Sequence, residues 1–132
     1  MDEVATKKYR RLLQTGFKYT GSIENPSIFL DTRLEGLSIC AQASRDYMNI
    51  YIKITDNIIT EIKYLCLCDP IANVVVETLC NLVEGLSVEE AKVITEGTFF
   101  RAIGSDSESL LKKIAGMIEL FHRGIKRYEK RD

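Results

Sequence analysis

No stretch of this 132-residue chain approaches the roughly 18 consecutive apolar residues that a membrane-spanning helix needs, so no membrane segment is expected. The opening Met1-Asp2-Glu3-Val4-Ala5 lacks the basic-then-apolar order of a secretory signal, which points to a cytoplasmic protein. Net charge is nearly absent as well. Eighteen Lys and Arg stand against 19 Asp and Glu, a formal balance of −1, which argues against nucleic acid as a partner. G-x-S-x-G, phosphate-binding glycine loops, zinc-protease helix motifs and dinucleotide fingerprints are all missing, so hydrolase and nucleotide-enzyme chemistry lack support. A non-enzyme is expected, with sulfur transfer as the one reservation. There is no internal repeat and no low-complexity tract.

What remains is a composition suited to one globular core: 45% hydrophobic and 28% charged residues in a length that fits a single domain over 1–132. Residues 1–16 are helix-competent, with Lys7, Lys8, Arg10 and Arg11 on a polar face and Gly16 as a stop. The segment 17–36 is rich in turn formers and reads as an irregular loop. An antiparallel sheet is expected over 37–67. Met48, Ile50, Ile52 and Ile54 alternate with Tyr47, Asn49, Tyr51 and Lys53, the mark of a half-buried strand. Thr55-Asp56-Asn57 turns it into a second strand from Ile58 to Leu67, and a third strand is expected near Leu37 to Ala43.

After Pro70 the apolar period changes from two to about 3.6, placing Ile71, Val74, Val75, Thr78, Leu79 and Leu82 on one helical stripe. Asp69 is suited to cap that helix and Pro70 to its first turn. Ser87-Val88-Glu89-Glu90 has the form of a capping box, a short helix fits Glu96 to Ile103, and a last helix carries Leu111, Ile114, Met117, Ile118, Phe121 and Ile125 on one face. Helices thus fill 69–130. Strands followed by helices argue for an α+β domain, a small three-stranded antiparallel sheet with helices packed on one face.

Chemistry is concentrated in cysteine. Two of the four thiols, Cys66 and Cys68, lie at the junction of the second strand and the following helix. In a reducing cytosol they are expected to be free, metal-bound or catalytic rather than paired. The period of a strand puts Cys66 and Cys68 on the side of Ile58, Thr60, Ile62 and Tyr64, so their sulfurs can converge on one ion. A helix N-terminus beside Cys68 favours its thiolate. Ligand, nucleophile and small core residue all remain open for the pair, since free cysteine is among the most buried residue types. Two thiols do not complete a tetrahedral site; Cys40, Asp46 and His122, the single histidine, are the further candidates. Cys80 falls inside a helix and is expected in the core.

Taken together, Glu24-Asn25-Pro26, the loop with Cys40 and Asp46, the strand Tyr47 to Ile54, the cysteine-bearing turn and Glu84-Gly85-Leu86-Ser87-Val88-Glu89-Glu90-Ala91 form an order that resembles the iron–sulfur cluster assembly scaffold family, IscU-like proteins and the N-terminal domain of NifU. The similarity runs from about Glu24 to Tyr128. It implies a site that holds a nascent iron–sulfur cluster, or zinc in its place, on three cysteines and an aspartate. Asp46 matches the aspartate and Cys68 the second cysteine, with Cys66 as an additional thiol. Ser44 stands where the first cysteine is usual, leaving Cys40 as its substitute. The third segment, Ser107 to Lys113, contains no cysteine.

The resemblance therefore implies cluster or metal binding through Cys40, Asp46, Cys66 and Cys68, with a cysteine desulfurase and acceptor apoproteins as partners. A partner or a second copy, making a homo-oligomer, would complete the site. Two alternatives stand beside it: a sulfur carrier in which Cys68 accepts a persulfide and Cys66 resolves it, and a partner-binding homologue without a cluster.

Overall fold

In the computed structural model, residues 2–37, 39–40 and 46–131 are described. Helix α1 (Glu3–Thr15) comes first, followed by strand β1 (Ile28–Asp31) and the one-turn helix α2 (Thr32–Glu35). The hairpin β2 (Tyr47–Thr55) and β3 (Ile58–Leu67) leads into α3 (Pro70–Val83), α4 (Val88–Lys92), α5 (Glu96–Ile103) and α6 (Glu108–Lys130). The sheet is antiparallel throughout, in the order β1-β2-β3.

The hairpin forms where the alternation placed it. Asp56 and Asn57 both take left-handed backbone angles, φ 52° and 65°, as a two-residue turn of type I′ requires and as Asp and Asn tolerate better than most residues. Met48, Ile50 and Ile52 are fully buried on one face. Each is a side chain whose burial contributes about 1.5–3 kcal/mol. Opposite Lys53 and Ile54 of β2 the register shifts, so β3 carries one extra residue there and its parity changes. Ile59, Ile62 and Tyr64 therefore point into the core, while Ile58 and Thr60, expected on the Cys66 face, are exposed.

The third strand is not near Leu37 to Ala43 but at Ile28–Asp31, inside the segment read as an irregular loop. Ile28 and Leu30 bury against the helices, and their strand pairs with Ile52 through Asn49. Leu37, Ile39 and Cys40 lie outside any strand; the remaining positions of that expectation, Ser38 and Ala41 to Ala43, lie outside the described residues.

The helices start where their caps allow. Asp69 accepts from Ala72 N, Pro70 occupies the first turn, and Ser87 and Glu90 form a reciprocal capping box. α3 is buried nearly all round, including Cys80, which is fully enclosed as expected. On α6 the buried residue of the first turn is Leu110, and Leu111 is exposed; Ile114, Met117, Phe121 and Ile125 face the core as anticipated. Gly124 lets α6 approach the sheet closely: a Cβ there would lie 3.0 Å from both Ile28 Cγ2 and Leu30 Cδ1. Helices α3 and α6 thus cover one face of the sheet, and the opposite face carries the Phe29 and Tyr51 rings at 5.2 Å.

Candidate thiol site

Three pieces of backbone meet at one end of the sheet. The first is the segment carrying Cys40, the second is the β3–α3 turn from Cys66 to Asp69, and the third is α6 near Lys113. Cys40 and Cys68, 28 positions apart, are joined as a disulfide with their Cα atoms 4.8 Å apart. This corrects the expectation of unpaired thiols. The fold places the two side chains within bonding distance, whereas the chain's reading rested on the chemistry of the compartment alone. Cys68 Sγ also lies 3.2 Å from the carbonyl oxygen of Tyr47, so the turn is seated on the start of β2.

Cys66 is a free, half-buried thiol on the penultimate residue of β3, opposite Met48. Burial pushes its thiol up to about 11; the Cys68 backbone N–H acts in the other direction, and the carboxylates of Asp69 and Asp46 add to the rise. At neutral pH Cys66 is therefore a protonated thiol. Asp46 is half-buried and close enough to act on it. Cys40, Asp46, Cys66 and Cys68 thus belong to one neighbourhood. Cys80 does not, and burial raises its thiol well above the usual range.

Among the described residues, no group of three or more His, Cys, Asp or Glu side chains is gathered to hold a metal ion. With Cys40 and Cys68 bonded to each other, neither sulfur is available as a thiolate ligand. Reduction would restore two thiols there, close to the Cys66 thiol. His122 is not part of this group. It packs beside Phe121 and lines a separate recess with Lys92, Glu119 and Glu129, and its Nε2 is buried with no hydrogen-bond partner among the described residues.

Lys113 is the residue that the chain's pattern did not reveal. Its ammonium donates to Ile39 O at 2.9 Å and pairs with Asp69 Oδ1 at 3.1 Å. Its position held a signal nonetheless. Lys113 has buried residues at i−3 (Leu110), i+1 (Ile114) and i+4 (Met117), so it sits at the margin of the apolar stripe and not on a solvated face.

The family described as NifU-like N terminal domain matches residues 19–132. No curated protein matches the chain. Among solved structures, a nitrogen-fixing NifU-like protein (N-terminal) from Brucella abortus aligns with a TM-score of 0.65 at 9% identity, covering 99% of this chain and 95% of that one. A putative iron–sulfur cluster assembly scaffold protein for the SUF system from Fervidobacterium islandicum AW-1 aligns with a TM-score of 0.57 at 14% identity, over 96% and 94% of the two chains. At these identities the structural likeness speaks for the fold. Among the described residues no helix is long and apolar enough to cross a membrane.

Proposed function

Because the chain belongs to the NifU-like N-terminal domain family, we propose that it serves as an iron–sulfur cluster assembly scaffold whose cargo is held by the reduced thiols of Cys40, Cys66 and Cys68, with Asp46 beside them. The observation that carries this reading is the meeting of Cys40 with Cys68 across 28 positions, at a Cα separation of 4.8 Å. This supports Cys40 as the substitute for a first cysteine, with Ser44 at the usual position. The segment Ser107 to Lys113 offers no thiol, so a full cluster would draw its remaining ligand from Cys66, from Asp46, or from a partner or second copy.

In this role the chain is not itself an enzyme. Sulfur would come from a cysteine desulfurase, and the assembled cluster would pass to acceptor apoproteins in the cytoplasm. Zinc is an alternative occupant of the same donors. Protein purified without air and kept reduced should contain iron or zinc, with acid-labile sulfide after reconstitution, and Cys68→Ser should abolish it. Metal-free protein after anaerobic reconstitution would sink the proposal.

A second reading, a sulfur carrier, is favoured by a specific feature of the pair. A persulfide on Cys68 has Cys40 as its nearest resolving thiol, in place of Cys66. Attack by Cys40 on the inner sulfur of that persulfide would form the Cys40–Cys68 bond and release hydrosulfide. Mass spectrometry after incubation with a desulfurase and cysteine distinguishes the two: added mass of one sulfur on Cys68 without metal supports the carrier.

A further inference from the structure

We propose that Lys113 is a positioning residue for the thiol pair: it holds the Cys40 segment against the β3–α3 turn so that Cys40 and Cys68 face one another. This deepens the proposed function and rests on it only in treating those two cysteines as the working pair.

The contacts bracket the two sulfurs. Lys113 donates to the carbonyl of Ile39, the residue before Cys40, and to the carboxylate of Asp69, the residue after Cys68. One ammonium group on α6 therefore joins the two segments that carry the thiols. Its side chain is 21% exposed and that of Asp69 24%, so the ion pair is partly withdrawn from solvent and keeps more of its strength than a surface pair.

A second contact from the same helix acts on the same segment. Ile39 is fully buried, and Gly116, one turn beyond Lys113, leaves the space its side chain fills: a Cβ at 116 would lie 3.0 Å from Ile39 Cγ1. The segment is thus pinned through its backbone by Lys113 and through its side chain against Gly116. Without such pins, bringing Cys40 to Cys68 costs the ordering of an extended connection. With them, each thiol meets the other at a high effective concentration.

The test is a redox equilibrium measured in metal-free buffer on the full chain. Glutathione disulfide is the oxidant: as the Cys40–Cys68 bond forms, the two thiols give up two protons and two electrons, and one glutathione disulfide becomes two glutathione thiols. The bridged fraction is read by differential alkylation and peptide mass mapping. Lys113→Met should lower the equilibrium constant for bridge formation by about tenfold, the scale of one charge-assisted hydrogen bond. Lys113→Arg, which keeps the charge and the donors, should recover most of the loss.

A merely structural lysine would lower the melting temperature of reduced and oxidised protein alike and leave the glutathione equilibrium where it was. An equilibrium within twofold of the parent in Lys113→Met overturns the proposal, as does a loss that Lys113→Arg shares in full. If Lys113→Met does not fold, Asp69→Asn in the same measurement must show a loss of similar size. The outcome is independent of metal content, so a failure to bind iron would tell against the scaffold and leave the clamp standing.

Discussion

The hydroxyl of Tyr64 lies 3.0 Å from Oε1 of Glu77 inside the core, linking the strand that carries Cys66 to the helix that follows Cys68. Glu77 is only 8% exposed, and its other oxygen accepts from Lys18 N at 3.0 Å. Burial and the nearby carboxylate both push the phenol's pKa upward, so it remains a donor at all ordinary pH. The same hydroxyl lies 2.9 Å from Asn73 Oδ1, so its removal takes a partner from two side-chain oxygens, one buried and one part-buried. Tyr64→Phe should cost about 1–3 kcal/mol of stability, measured by urea unfolding, and a cost near zero would show that water replaces the hydroxyl.

Cys66 should alkylate slowly at neutral pH. Burial is the main cause of its raised pKa, so the iodoacetamide rate at Cys66, followed by peptide mapping with the Cys40–Cys68 bridge intact, should climb towards a midpoint near 11. A midpoint at the ordinary thiol value of about 8.5 would mean that the pocket around it is open to water.

Gly124 tests how tightly α6 packs on β1. Alanine there gains about 1 kcal/mol of helix propensity but meets Ile28 and Leu30 side-chain atoms from two directions at 3.0 to 3.1 Å. Overpacking of that kind costs about 1–3 kcal/mol, so Gly124→Ala should be destabilising on balance. Gly97→Ala, whose nearest contacts are 3.5 and 3.6 Å, should not be. Chemical denaturation of the two variants side by side decides the point.

Acid should weaken the fold through particular carboxylates. At Asp2, burial opposes the charge, yet donations from the Ser105 and Ser107 hydroxyls and from Ala5 N hold its pKa below 3.8. At Glu35 the guanidinium groups of Arg127 and Arg123 hold the pKa below 4.5. A carboxylate whose folded pKa is depressed stabilises the fold above its unfolded pKa and loses that contribution as pH falls through the folded value. Stability should therefore be level above about pH 5 and decline below about pH 4. Asp2→Asn and Glu35→Gln should each flatten the decline, and a parent curve that stays level down to pH 2 would contradict both assignments.

Local chemistry made much of this fold legible. Asp69-Pro70, Ser87 with Glu90, and the alternation from Tyr47 to Ile54 each carry their own structural instruction within a few residues. β1 escaped because four residues, with Asp31 buried alongside Ile28 and Leu30, are too few to show a period. The facing of Ile58 and Thr60 on β3 is not legible, because one extra residue in a ladder reverses parity and leaves no local mark. The candidate thiols were legible as residues, but the partner of Cys68 was not. The contact that its neighbour Ile39 makes with Lys113 on α6 joins residues 74 positions apart in sequence, beyond the reach of any local pattern.

The Cys40–Cys68 bond closes a covalent ring around the whole β2–β3 hairpin. A ring spanning 28 positions denies the unfolded chain about 3.5 kcal/mol of loop freedom, on the chain-entropy estimate. That is comparable with the largest single substitution effects expected above. The two electrons that open the ring therefore act on stability as well as on chemistry: the event that frees both thiols also returns loop freedom to the unfolded chain, so the same fold becomes easier to lose.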